Sequence, residues 1–285
     1  MTAPSFRTAW RFFALAIGLS WLFTIPLALS GAALDSSQFA IVLYALGGMG
    51  PALAALGLIF FKADSQARQR YWRRLIDVAR LRPIWLLITL GLVPAMTGAA
   101  AGADRLLGGS GFELERAANI IEQPLSLIPF AFYILLFGPL PEELGWRGYG
   151  LDRLLRANWP SDLKRWRLTV ASLFVGVVWA VWHLPLYFIE GSYQNGLGLS
   201  GWPFWSYVGG QLISSVLYTW LFTNTGHSTM SAILFHFTQN FSGELIALSR
   251  GAEIIFFGLQ ALIAGVIIIR WYWQHRTNST MSTAR

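Results

Sequence analysis

Apolar runs of membrane-spanning length recur along almost the whole of this chain. No other feature restricts its fold as much. A helix needs roughly 20 apolar residues to cross a bilayer. Candidate spans fall at about 10–30, 39–61, 84–103, 124–144, 169–189, 204–223, 228–248 and 252–270. The apolar residues come in long blocks, not at a helical or strand period. The expected fold is therefore all-α: a polytopic integral membrane protein of about eight transmembrane helices, one transmembrane domain over residues 1–285. Charged residues are only 12% of the chain, about half of what a soluble domain carries. Cysteine is absent, so neither a disulfide framework nor a thiolate metal site is available.

The basic residues set an expected topology. With the N-terminus in the cytoplasm, eighteen of the 21 Lys and Arg side chains fall on cytoplasmic segments. Only Arg105, Arg116 and Arg250 fall outside. That asymmetry follows the positive-inside rule and needs both termini inside. The net charge of +7 is then a matter of topology, and nucleic acid is not an expected partner. Trp10, Trp85, Trp166, Trp202, Trp205, Trp271 and Trp273 lie near expected span ends, where indoles favour the interface. The first run has signal-peptide features, but it is longer than a typical signal core. It is read as a retained helix.

The segment 62–83 fits either a basic amphipathic helix on the inner surface or a solvated loop. Residues 103–123 form the longest expected external connection. In the second span, Gly47, Gly50, Ala54 and Gly57 recur at helical spacing, a small-residue face for close helix packing.

Strongly polar residues inside the spans are costly, so their placement is informative. Glu142 and Glu143 end the fourth span. His183 lies in the fifth, and His236, Gln239, Asn240 and Glu244 lie in the seventh. Gln260 in the eighth is the one further group. His236 and Asn240 are four apart and share a helix face. Glu143 and Arg147 are four apart and can pair, leaving Glu142, about 100° away, to face a cavity. Depth argues against a simple picture. At about 1.5 Å per residue, His236, Asn240 and His183 lie roughly 12, 18 and 21 Å from the inner ends of their spans, while Glu142 lies close to its own. The groups approach one another if the fourth span starts later, near Ile128, and runs past the glutamates; Pro139, Pro141 and Pro185 could also bend the helices, and a break or kink is expected there.

Taken singly, His183 fits a packed histidine, Asn240 a polar link between helices and Arg147 an inside-positive charge. Together they describe peptide hydrolysis by activated water. A glutamate in an apolar cavity suits a general base. Two imidazoles orient water or hold a metal. An asparagine amide can donate to an oxyanion.

In order and separation these residues resemble the CPBP intramembrane proteases, which include the CAAX prenyl endopeptidases and the Abi bacteriocin-processing proteins. Glu142, Glu143 and Arg147 match the motif E-E-x-x-x-R. His183 matches the histidine of F-x-x-x-H, with Trp179 in place of phenylalanine. His236 and Asn240 match H-x-x-x-[N/D]. The motif-bearing core spans about 124–248. The resemblance implies a membrane-embedded polar cavity in which Glu142 activates water with the aid of His183. It gives His236 and Asn240 the oxyanion, and Glu143 and Arg147 the task of holding the site together. The family is often termed metalloprotease, and Glu142, His183 and His236 could hold zinc with an open position. The H-E-x-x-H signature is missing, so metal-independent chemistry stands beside it. The implied substrate is a membrane-associated or lipidated, CAAX-like peptide, reaching the site from the cytoplasmic side or laterally from the bilayer. Membrane lipids are the other expected partner. The expected location is a cell membrane, multi-pass, on the pattern of a bacterial inner membrane. A proton- or cation-coupled transporter and a catalytically silent scaffold are the alternatives.

Overall fold

The structure, a computed structural model, describes residues 6–113 and 124–282, the last eight by backbone only. Of the expected 103–123 connection, residues 114–123, Arg116 included, lie outside the described residues. The described chain is helical almost throughout: α1 Phe6–Ser30, α2 Gln38–Gly48, α3 Gly50–Lys62, α4 Ser65–Ile76, α5 Pro83–Leu106, α6 Leu127–Phe137, α7 Pro139–Gly145, α8 Asp152–Arg156, α9 Arg167–Trp182, α10 Tyr193–Leu197, α11 Gly201–Asn224, α12 Thr229–Leu245 and α13 Arg250–Ser282.

Among the described residues, five helical segments are long and apolar enough to cross a membrane. They are Phe6–Ser30, Pro83–Leu106, Pro124–Arg156, Lys164–Phe188 and Arg250–Gln274. The pair α2–α3, bent by 51°, makes up to six. The expected sixth and seventh spans are present as helices but fall short of that measure. α11 carries Gln211, Ser214, Ser215 and Thr219, all buried. α12 has only 17 residues. The same polar residues that build the site described below lower the apolarity of these two helices.

The breaks in the helices follow from local chemistry. Pro51 opens α3 and removes a backbone donor just where α2 stops. There Gly47 and Gly50 let α1 come close: a β-carbon on Gly50 would sit 2.7 Å from the Ala16 carbonyl oxygen. Gly57, grouped with them by spacing, faces open space. The fourth span breaks at Gly138 and restarts at Pro139, at the expected prolines. It does not end at the glutamates. A π-helical stretch, Trp146–Leu151, carries it into α8. Such wide turns concentrate at functional sites. Gly145 sits where α7 crosses α3: a β-carbon there would lie 2.6 Å from the Pro51 carbonyl carbon.

The basic segment after α3 is the amphipathic helix α4, capped by Asp64, whose carboxylate accepts from the Ala67 amide at 2.6 Å. Tyr71 and Arg74, three apart, are its buried residues. They dock it on the fourth span. The Tyr71 hydroxyl donates to the Leu144 carbonyl at 3.0 Å, and burial pushes this phenol well above its ordinary pKa. Arg74 donates to the Gly148 carbonyl at 2.7 Å and pairs with Asp152.

The opposite end of the bundle is tied differently. Strand β1 (Phe112–Glu113) pairs antiparallel with β2 (Ala247–Leu248). Buried Asp104 accepts from the Gly111 amide at 2.9 Å and the Ser249 hydroxyl at 2.6 Å.

Candidate active site

The longer fourth helix resolves the depth conflict. Fourteen residues separate Glu142 from the end of α8 at Arg156, so Glu142 lies roughly 20 Å from that end at about 1.5 Å per residue. Thr229 at the start of α12 packs beside Gly148. Seven residues on, His236 is level with Glu143.

Glu143 and Arg147 are both fully buried. Arg147 Nη1 donates to Glu143 Oε1 at 2.7 Å and Nη2 to the Ser215 hydroxyl at 3.2 Å. The guanidinium lies 3.9 Å from the Tyr218 ring centroid and 4.8 Å from that of Trp179. Two ring faces and two acceptors thus compensate a cation taken out of water. His236 Nδ1 lies 2.9 Å from the same Glu143 oxygen. A carboxylate already engaged with Arg147 only accepts, so this nitrogen carries the proton.

Trp179 draws the remaining groups together. Its indole N–H donates to Glu142 Oε2 at 2.7 Å. Its ring centroid lies 6.0 Å from that of His183 and 5.4 Å from that of His236. Its carbonyl lies 2.8 Å from His183 Nδ1. A carbonyl only accepts, so His183 also carries its proton on Nδ1. The Gln211 side-chain amide lies 2.9 Å from the same nitrogen; with Nδ1 protonated, it is the amide oxygen, which otherwise finds no partner among the described residues, that accepts there.

Glu142, His183, His236 and Asn240 line one cavity of about 830 Å³, together with Gln239, Glu244 and Gln260. Glu143 and Arg147 stand behind it. The lining comes from the second halves of α1 and α12 and the first halves of α11 and α13. The cavity therefore runs toward the end held by β1 and β2, away from α4. Residues 144–156 of the fourth helix lie between the cavity and the end that carries α4.

Sequence reasoning missed Gln211, Ser215, Tyr218 and the indole donor of Trp179. Gln211 and Ser215 offered the same signal as the seventh span, polar groups within an apolar run. The Trp179 bond depends on the approach of two helices and has no signature in spacing.

The zinc set can be tested on the donors. Glu142, His183 and His236 share the cavity, but among the described residues no three His, Asp or Glu side chains stand close enough to hold a metal ion. The Nδ1 contacts of His236 with Glu143 and of His183 with the Trp179 carbonyl would suit ligation through Nε2, so it is the separation of the three donors that stands against a shared ion. These residues do not fit a three-ligand metal centre.

Fold and site together define a multi-pass, all-helical membrane protein with a polar chamber enclosed among its helices. The comparisons carry this further. Residues 124–242 match the family described as type II CAAX prenyl endopeptidase Rce1-like, which bears out the resemblance read from the three motifs. The chain is also 28% identical, over 224 residues, to CAAX prenyl protease 2 of Methanococcus maripaludis, covering 78% of this chain and 79% of that protein. The chain is thus similar to CAAX-type proteases over its motif-bearing part and, more distantly, over most of its length.

Proposed function

We propose that this protein is an intramembrane endopeptidase that hydrolyses a membrane-associated or lipidated peptide with water activated by Glu142. One observation carries the reading: the carboxylate of Glu142 shares a single cavity with His183, His236 and Asn240, and the indole of Trp179 touches the first three. Trp179 holds Oε2 of Glu142 and leaves Oε1 to accept a proton from water. His183, with its proton on Nδ1, offers Nε2 as an acceptor for the other water hydrogen. The hydroxide attacks the scissile carbonyl, and Glu142 returns its proton to the leaving amine. Asn240 supplies an amide donor for the oxyanion in any protonation state. His236, proton on Nδ1, donates from Nε2 only as the imidazolium. No step in this scheme passes through a metal.

The substrate reaches the cavity sideways. Ile41 of α2 and Tyr133 and Phe137 of α6 line the cavity and are each about half exposed. A peptide carried on a lipid anchor would pass there without leaving the bilayer. A prenyl group fits this route, and the name of the archaeal relative points the same way. Both termini are read as cytoplasmic on the charge asymmetry, in a membrane of the bacterial inner type.

The test is cleavage of a prenylated and an unprenylated peptide set by the purified protein in detergent. Glu142→Gln should abolish hydrolysis while circular dichroism stays unchanged. Chelator should leave the wild-type rate intact, with elemental analysis of the same preparation as control. A folded Glu142→Gln variant that still cleaves would sink the mechanism. Proton-coupled flux in liposomes without peptidase activity would favour the transporter.

A further inference from the structure

A second recess lies across the fourth helix from the cavity, and the peptidase scheme gives it no task. It encloses about 1420 Å³ between α1, α3, α4, α8 and the start of α9. Seven cations line it: Arg11, Lys62, Arg70, Arg74, Arg153, Arg156 and Arg167. Asp64 and Asp152 are its carboxylates, and both are committed. Asp64 caps α4. Asp152 pairs with Arg74 and with Arg156, and lies 3.4 Å from His227 Nδ1. Among the described residues, Arg11, Lys62, Arg70, Arg153 and Arg167 have no carboxylate partner. The Nε atoms of Arg74 and Arg167 are buried without a hydrogen-bond acceptor among those residues.

The recess is not uniformly polar. Ala14, Leu15, Leu58 and Ile59 form one wall. Along α1 the order is Arg11 and then, one turn deeper, Ala14 and Leu15. Cations at the helix end and apolar side chains farther in match the layering of a lipid, with its phosphate at the interface and its chains below. A small soluble anion would have no use for the apolar wall. Leu15 is also exposed, so this wall of the recess is open to its surroundings.

We infer that this recess binds the headgroup of an anionic phospholipid, its phosphate among Arg11, Lys62 and Arg70 and its acyl chains against α1 and α3. The inference rests on charge and shape at a site separate from the peptidase residues, and it stands or falls independently of them. The ligand also meets the far side of the segment that carries Glu142 and Glu143, because Gly148, Tyr149 and Asp152 line the recess.

Native mass spectrometry on the protein released from mixed phosphatidylcholine–phosphatidylglycerol nanodiscs tests it. The wild type should retain phosphatidylglycerol in clear preference to phosphatidylcholine. The variant Arg11→Ala/Lys62→Ala/Arg70→Ala should lose that preference. The variant Arg73→Ala/Arg82→Ala/Lys164→Ala removes the same charge from exposed positions outside the recess and should keep it. Arg70→Glu alone should weaken retention if the triple variant does not fold. No preference in the wild type, or equal loss in both triple variants, overturns the inference. So does complete displacement of the lipid by inorganic phosphate, which would make the ligand a soluble anion.

Discussion

The buried pair Glu143–Arg147 allows a quantitative test. Both side chains are wholly inaccessible and 2.7 Å apart. Removing one partner leaves the other charge buried, at a cost of about 3–5 kcal/mol. In Arg147→Met the Glu143 carboxylate keeps only His236. In Glu143→Gln the guanidinium keeps the faces of Tyr218 and Trp179 and the Ser215 hydroxyl. Each single variant should therefore lose about 3–5 kcal/mol of unfolding free energy, a large share of a typical total of about 5–15 kcal/mol. The double variant buries no charge here, and the side-chain amide that replaces the carboxylate can still accept from His236 through its carbonyl. Its loss should come mainly from the cation–π contacts, about 2 kcal/mol. The double variant should fall short of the sum of the singles by at least about 4 kcal/mol. Denaturation by SDS in mixed micelles, followed by tryptophan fluorescence, measures all four corners. Additivity within about 0.5 kcal/mol, or single variants as stable as wild type, would refute the reasoning.

Three further outcomes are expected. Asn240→Ala should lower kcat roughly 10²- to 10³-fold with little change in KM, as loss of an oxyanion donor does, in steady-state peptide cleavage. Gly145→Ala forces a β-carbon against the Pro51 backbone and should destabilise by about 1–3 kcal/mol in the same SDS titration. Asp104→Ala removes the acceptor shared by Gly111 and Ser249. It should raise amide exchange at Gly111 and Ser249 in hydrogen–deuterium exchange, while residues near Arg74 stay protected.

What could be read from the sequence was what lies within one helix. Glu143 with Arg147 and His236 with Asn240 are four residues apart, and the helix itself brings each pair to one side. Position along the membrane normal was harder to read. Charged residues ended the fourth apolar run near residue 144, yet the helix continues to Arg156. Internal pairing, of Glu143 with Arg147 and of Asp152 with Arg74 and Arg156, is what lets it do so. Length and apolarity alone meet the same physical limit: α11 and α12, expected as spans, carry polar residues because they face the chamber. Partners contributed by separate helices, such as the Trp179 indole for Glu142 or Gln211 for His183, required the packed bundle.

Asp104 bears on which wall of the chamber can give way. Its carboxylate grips two loops at once, and between them they hold Leu248, which lines the cavity. Swinging that strip aside would strand a buried anion, so this side behaves as a fixed sill. Between α2 and α6, by contrast, both helices line the cavity, but no hydrogen bond among the described residues crosses the seam. Separating these two helices exposes mainly hydrocarbon-like surface, which lipid tails solvate at little cost. The bundle is thus hinged by its chemistry: rigid where water-seeking groups interlock, yielding where it meets oil.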